Sequence, residues 1–146
     1  MITHNSKHLT FFIPEVIKDA GVNFFDTGIS AGFPSPAEDF KEQRLSLDDE
    51  LVKNKEATFY ARVSGQSMIG AGLDDNDLLI IDRSLEPTNN KIAVCFLDGE
   101  FTVKRLRVSK DEVWLQPENP NYPIIKITED NNFVIWGIVT NVIKKV

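Results

Sequence analysis

Cysteine, histidine and basic charge are all scarce in this chain of 146 residues, and each shortage removes a class of function. The lone Cys95 has no partner for an intrachain disulfide. It lies in the apolar run Ile92-Ala93-Val94-Cys95-Phe96-Leu97, where a free thiol reads as a small buried hydrophobe. The two histidines, His4 and His8, sit in a polar N-terminal stretch with no cysteine or acidic cluster beside them. Neither a metal site nor a Ser-His-Asp triad is expected from them, and no cofactor is expected. The 16 Lys and Arg against 22 Asp and Glu leave a formal net charge of −6. Gripping phosphates needs a basic surface, so direct sequence-specific DNA binding is not expected, and any association with DNA is assigned to a partner. No stretch approaches the roughly 20 apolar residues of a membrane span. Residues 1–10 also lack the basic-then-apolar pattern of a secretion signal. A cytoplasmic protein without membrane contact is the expectation.

What is present is an ordinary globular composition, 42% hydrophobic and 26% charged, at a length that favours one domain with a real core. Residues 1–31 read as an arm. They hold an apolar patch (Phe11, Phe12, Ile13) broken by Pro14, then Gly21, Asn23 and Gly28 as breakers, with Phe24 and Phe25 available to dock on a folded body. Such an arm is too short for a DNA-reading helix-turn-helix domain, which is built from several packed helices. Pro34 and Pro36 bias Phe33 and Ser35 toward extended conformations, giving an exposed connector. A helix is expected over residues 46–54, with Ser46 as N-cap, Asp48, Asp49 and Glu50 in the first turn, and Leu47 and Leu51 sharing a face.

From residue 57 onward the chain reads as β. Candidate strands are Thr58–Val63, Leu78–Asp82, Lys91–Leu97, Glu100–Val108, Glu112–Gln116, Ile124–Thr128 and Phe133–Ile143, all rich in β-branched and aromatic residues. They are punctuated by Asp98-Gly99, Pro117, Pro120 and Pro123. Short strands at this spacing, with no helices between them, imply a mostly β, largely antiparallel fold, either a barrel or a folded-over sheet. Asp98-Gly99 is a strong two-residue turn signal. Counting outward from it puts Ala93 opposite Lys104, with Thr102, Lys104, Leu106 and Val108 on one face of the second strand.

That placement gives Lys104 largely apolar neighbours, and it makes the segment Ser64-Gly65-Gln66-Ser67-Met68, 37 residues upstream, chemically interesting. A serine hydroxyl is a poor nucleophile until a base takes its proton. A lysine is normally protonated at neutral pH, with a pKa of about 10.4. Desolvation disfavours the charged form and turns a lysine into a usable general base, as in Ser-Lys dyads. Further upstream, Ala31-Gly32 presents little bulk ahead of the proline-bound stretch Phe33-Pro34-Ser35-Pro36. Nucleophile, base and cleavable bond in one chain suggest a protein that cuts itself. Ser67 would attack the Ala31 carbonyl and Lys104 would accept the serine proton. Backbone N–H groups of Ser67 and Met68 would hold the oxyanion, and Ile29 would fill an apolar pocket. Tethering gives such a substrate a high effective concentration. On a blander account, Ser67 is a turn residue, Lys104 an edge-strand surface charge and Ala31-Gly32 a linker.

Several segments together resemble the LexA/UmuD-like family of self-cleaving Ser-Lys peptidases. They are Ala31-Gly32-Phe33-Pro34-Ser35-Pro36-Ala37, Gln43-Arg44, Ser64-Gly65-Gln66-Ser67-Met68-Ile69, Asp77-Leu78-Leu79-Ile80-Ile81-Asp82 and Asp98-Gly99-Glu100-Phe101-Thr102-Val103-Lys104, in order over roughly residues 30–145. The resemblance implies a curled, mostly antiparallel β catalytic domain that dimerises. It matches Ser67 to the family nucleophile, Lys104 to its general base and Ala31-Gly32 to the bond cut, so that residues 1–31 are removed and residues 32–146 remain. It further implies a role in the SOS response to DNA damage. There, a RecA filament on single-stranded DNA promotes self-cleavage, and the processed homodimer joins an error-prone, UmuC-like translesion polymerase. Two departures are the Ala-Gly bond, where UmuD-type members usually carry Cys-Gly, and a somewhat longer arm. The rival readings are a LexA-type repressor fragment, a peptidase acting on other proteins, and a non-catalytic dimeric adaptor.

Overall fold

The alternation of β-branched and aromatic side chains along the second half of the chain leaves one solution open to its backbone, which is pairing into a sheet whose faces bury those side chains. The structure, a computed structural model, describes residues 2–5, 9–14, 22–25, 31–32 and 42–146. In chain order the strands are β1 (Ile2–Asn5), β2 (Leu9–Phe12), β3 (Val22–Phe25), β4 (Glu42–Leu45), β5 (Thr58–Val63), β6 (Leu78–Asp82), β7 (Ile92–Leu97), β8 (Glu100–Val108), β9 (Val113–Gln116), β10 (Ile125–Lys126) and β11 (Phe133–Ile143). Among the described residues one α-helix, α1 (Leu47–Leu51), and a 3-10 turn (Lys55–Ala57) precede β5. The chain divides into two units, one of Met1–Pro14 with Asn54–Val146 and one of Glu15–Lys53.

The larger unit is a nine-stranded sheet in the order β1-β2-β5-β6-β11-β7-β8-β9-β10, antiparallel at every described pairing. The sheet curls. In a flat sheet β2 and β8 would stand five strand spacings, roughly 24 Å, apart, yet the rings of Phe11 (β2) and Phe101 (β8) meet with centroids 4.9 Å apart. Trp136 on β11 joins them, edge to face, at 4.8 Å from Phe11 and 5.9 Å from Phe101. Register breaks in β11 at Ile135/Gly137 and Val139/Asn141 supply bends of the kind that bulges give. Two apolar cores result. Leu9, Phe11, Ala61, Leu79, Ile81, Val94 and Val103 belong to one, and Ala93, Cys95, Leu106, Leu115 and Ile138 to the other.

The β7–β8 hairpin turns at Asp98-Gly99, both at positive φ (48° and 91°), which glycine adopts freely and aspartate better than most residues. Ala93 pairs with Lys104, the register expected from the turn. Strands β5, β6, β8 and β11 have the expected limits, while β7 and β9 start one residue later and β10 shrinks to two residues. The helix begins as expected, with Ser46 Oγ accepting from the Asp49 N–H. It stops at Leu51 because Val52, whose N–H bonds the Asp48 carbonyl, is already extended. Asn54, also extended, spends its side chain on Asp82 Oδ2 (3.0 Å) and Ser84 Oγ (2.9 Å).

The structure adds strands that the sequence pattern did not announce. Within residues 1–14, β1 and β2 form an antiparallel pair, and β2 pairs with β5 from Leu9↔Val63 to Phe12↔Tyr60. In the smaller unit β3 pairs with β4, so Phe24 and Phe25 lie in a strand, opposite Gln43 and Glu42.

Candidate active site

Lys104 sits in the middle of β8 and is only 7% exposed. Its Nζ donates to Thr102 Oγ1 at 2.7 Å, to the Val103 carbonyl at 3.1 Å and to Ser67 Oγ at 3.1 Å. Strand alternation puts Thr102 two residues away on the same face, within reach. Burial pushes the Lys104 ammonium below the usual lysine range. The nearby Cys95 thiol is itself pushed up to about 12 by burial, so at neutral pH it carries no charge with which to hold Lys104 protonated. No carboxylate pairs with Lys104 among the described residues. An ammonium has three hydrogens and a neutral amine two, so deprotonated Lys104 keeps its bonds to Thr102 and Val103 and turns its lone pair toward Ser67. The arrangement is that of a general base facing a hydroxyl.

Ser67 is half-buried on the loop after β5, and Met68, 3% exposed, plugs the core immediately after it. The loop is held from both sides. The Gly65 N–H donates to Asp75 Oδ1 (3.0 Å) on one side. On the other, the Glu118 N–H donates to the Ser67 carbonyl (2.8 Å), Asn119 Nδ2 to the Gln66 carbonyl (2.9 Å), and the Gly70 N–H to the Glu118 carbonyl (2.7 Å). Gly70 is required by this fit, since a Cβ there would lie 2.5 Å from the Glu118 carbonyl oxygen. Glu118 also pairs with Arg105, the strand neighbour of Lys104, and this ties the serine loop to the strand that carries the lysine. The Ser67 and Met68 N–H groups have no acceptor among the described residues. Ser67 and Lys104 both line a cavity of about 240 Å³ whose apolar walls include Leu9, Val63, Leu73 and Ile125.

The structure therefore brings Ser67 and Lys104 together. Ala31 and Gly32 are exposed bends in the smaller unit, while Ile29, the connector residues 33–41 and His8 lie outside the described residues. Sequence reasoning missed Glu118, Asn119 and Arg105 as supports. Asn119 acts on Gln66 across 53 residues, and Glu118 acts partly through its backbone, so no side-chain pattern betrays either. Leu9 was missed as a cavity wall because residues 1–31 read as an arm. Among the described residues, no group of three His, Cys, Asp or Glu is placed to hold a metal ion, and no helix is long and apolar enough to cross a membrane.

Residues 23–140 match the family model described as Peptidase S24-like. The chain is 42% identical over 121 residues to Protein MucA of Salmonella typhimurium, covering 82% of each. It is 42% identical over 115 residues to Protein ImpA of Shigella flexneri, covering 79% of this chain and 78% of that one. It is also 37% identical over 116 residues to the LexA repressor of Delftia acidovorans, covering 80% of this chain and 51% of the repressor.

Proposed function

Because this chain belongs to the S24-like peptidase family, we propose that it is a self-cleaving serine peptidase with Ser67 as nucleophile, Lys104 as general base and Ala31–Gly32 as the bond cut. The observation that carries this reading is the 3.1 Å contact between Lys104 Nζ and Ser67 Oγ, at a lysine that burial drives toward its neutral form. Ser67 Oγ attacks the Ala31 carbonyl carbon while Lys104 takes the hydroxyl proton. The oxyanion is held by the Ser67 and Met68 N–H groups, which have no other acceptor among the described residues. Collapse breaks the Ala31–Gly32 bond, and Lys104 returns its proton to the departing Gly32 amine. Water, deprotonated by Lys104, then hydrolyses the Ser67 ester and frees the Ala31 carboxylate. Ile29, two residues before the cut, matches the apolar cavity wall in character.

The same reading places the protein in the cytoplasmic response to DNA damage. There, a RecA filament on single-stranded DNA stimulates the cut, and a homodimer of residues 32–146 serves as accessory subunit of a UmuC-like translesion polymerase. The net charge of −6 suits recruitment through proteins rather than through DNA.

Intact-mass spectrometry after incubation from neutral to alkaline pH, with Ser67→Ala and Lys104→Ala beside the unmutated chain, is the test. A break between Ala31 and Gly32 is expected in the unmutated chain alone. Its rate should rise with pH and level off above the lowered Lys104 pKa. An unmutated chain that stays whole at every pH and with RecA filaments would instead favour a non-catalytic adaptor.

A further inference from the structure

Ala31–Gly32 lies in sequence between β3 and β4, so a cut there leaves strand pairings that join the two products. β3, before the cut, pairs with β4, after it, over four residue pairs from Val22↔Leu45 to Phe25↔Glu42. β2, before the cut, pairs with β5, after it, over another four. The second contact is the substantial one. Leu9 and Phe11 are 2% and 1% exposed, and the Phe11 ring packs edge to face on Phe101 and Trp136. These two side chains alternate along β2 in the manner of an extended ligand whose main chain joins a sheet edge and whose side chains fill pockets. Neither pairing contains the Ala31–Gly32 bond.

We propose that the β5 edge is a strand-acceptor site whose ligand is the chain's own β1–β2 hairpin, and that residues 1–31 stay bound there as a peptide after the bond is cut. The position of the cut rests on the function proposed above, whereas the acceptor site rests on β2 and β5 alone. Cutting therefore converts a covalent element of the sheet into an exchangeable ligand of the chemistry apolar-x-apolar in extended form. Its departure would leave β5 as an unpaired edge and strip Leu9 from the wall of the Ser67–Lys104 cavity.

The test uses the full chain carrying Ser67→Ala and a recognition site for an added sequence-specific protease inserted after Gly32. The nick then needs no activity from the dyad, and failure of self-cleavage leaves the experiment intact. After nicking, the N-terminal fragment is expected to co-elute with the body in native gel filtration and to appear with it in native mass spectrometry. Hydrogen exchange over residues 58–63 should stay as slow as in the uncut chain. The same nicked chain with Leu9→Ser and Phe11→Ser should lose the fragment with at least about a hundredfold weaker retention, and exchange over residues 58–63 should speed up. Immediate release of the unmutated fragment, or fast exchange over residues 58–63 in the unmutated nicked chain, would overturn the proposal without recourse to a variant. Equal retention of the doubly substituted fragment would overturn it as well, by placing the attachment elsewhere.

Discussion

On the function proposed above, Lys104 serves activity at a cost in stability, because the burial that prepares it as a base penalises its ammonium. Its folded pKa lies below that of an exposed lysine because burial removes water from the ammonium. The unfolded chain therefore binds more protons at this site between the lowered pKa and about 10.4. In that window the Lys104 contribution to stability rises with pH. Below it, the folded state carries the full cost of a desolvated cation. Lys104→Met should abolish self-cleavage yet melt higher than the unmutated protein at neutral pH, with the gap closing as pH climbs from the lowered lysine pKa toward about 10.4. Thermal melts of both proteins across that range check this. A gap that widened with pH would mean that the ammonium is favourably paired.

At the scale of elements, the support for Ser67 is a loop clasp. The Glu118 backbone bonds the serine loop at Ser67 and at Gly70. Gly70→Ala sets a methyl group 2.5 Å from the Glu118 carbonyl and so must part the two loops. Overpacking of this kind costs about 1–3 kcal/mol, and a displacement near 1 Å at a reacting group costs on the order of a hundredfold in rate. The expected result is a folded, modestly destabilised protein whose cleavage rate falls by that factor, read by mass spectrometry beside a urea melt. Such supports are local in space but not in sequence, which is why the clasp was illegible from residues alone. The strands from Thr58 onward were legible because β-branched runs carry their own period, and the Asp98-Gly99 turn fixed which residue faced Lys104. β2 was hidden because Leu9 and Phe11 give only two buried positions before Pro14 ends the pattern. β3 was hidden because its partner β4 is remote in sequence. The meeting of Ser67 with Lys104 was legible from their two motifs, whereas Ile29 lies beyond what the structure describes.

For the molecule as a whole, two buried carboxylates make acid the weak side of the stability profile. Burial alone would raise the Asp77 carboxyl. Hydrogen bonds from Lys144 and from the Asp74 N–H outweigh it and hold the group below the usual aspartate range. Asp82 is held low in the same way by Ser84 and Asn54. Stability from both is complete above the ordinary aspartate pKa of about 3.9 and is lost as pH falls through their lowered values. Lys144→Ala should lower stability by its full amount near pH 9, where the pair is intact, and by progressively less as acid protonates Asp77, as followed by circular dichroism of urea melts at each pH.

The strand order has a consequence during synthesis. β11, late in the chain, lies between β6 and β7, and so joins the half of the sheet next to Ser67 to the half that carries Lys104. Until residues 133–143 have left the ribosome, the two halves have no common strand to align them. On the function proposed above, a nascent chain would hold its nucleophile and its base in separate, unregistered hairpins and be unable to cut itself until β11 joins them.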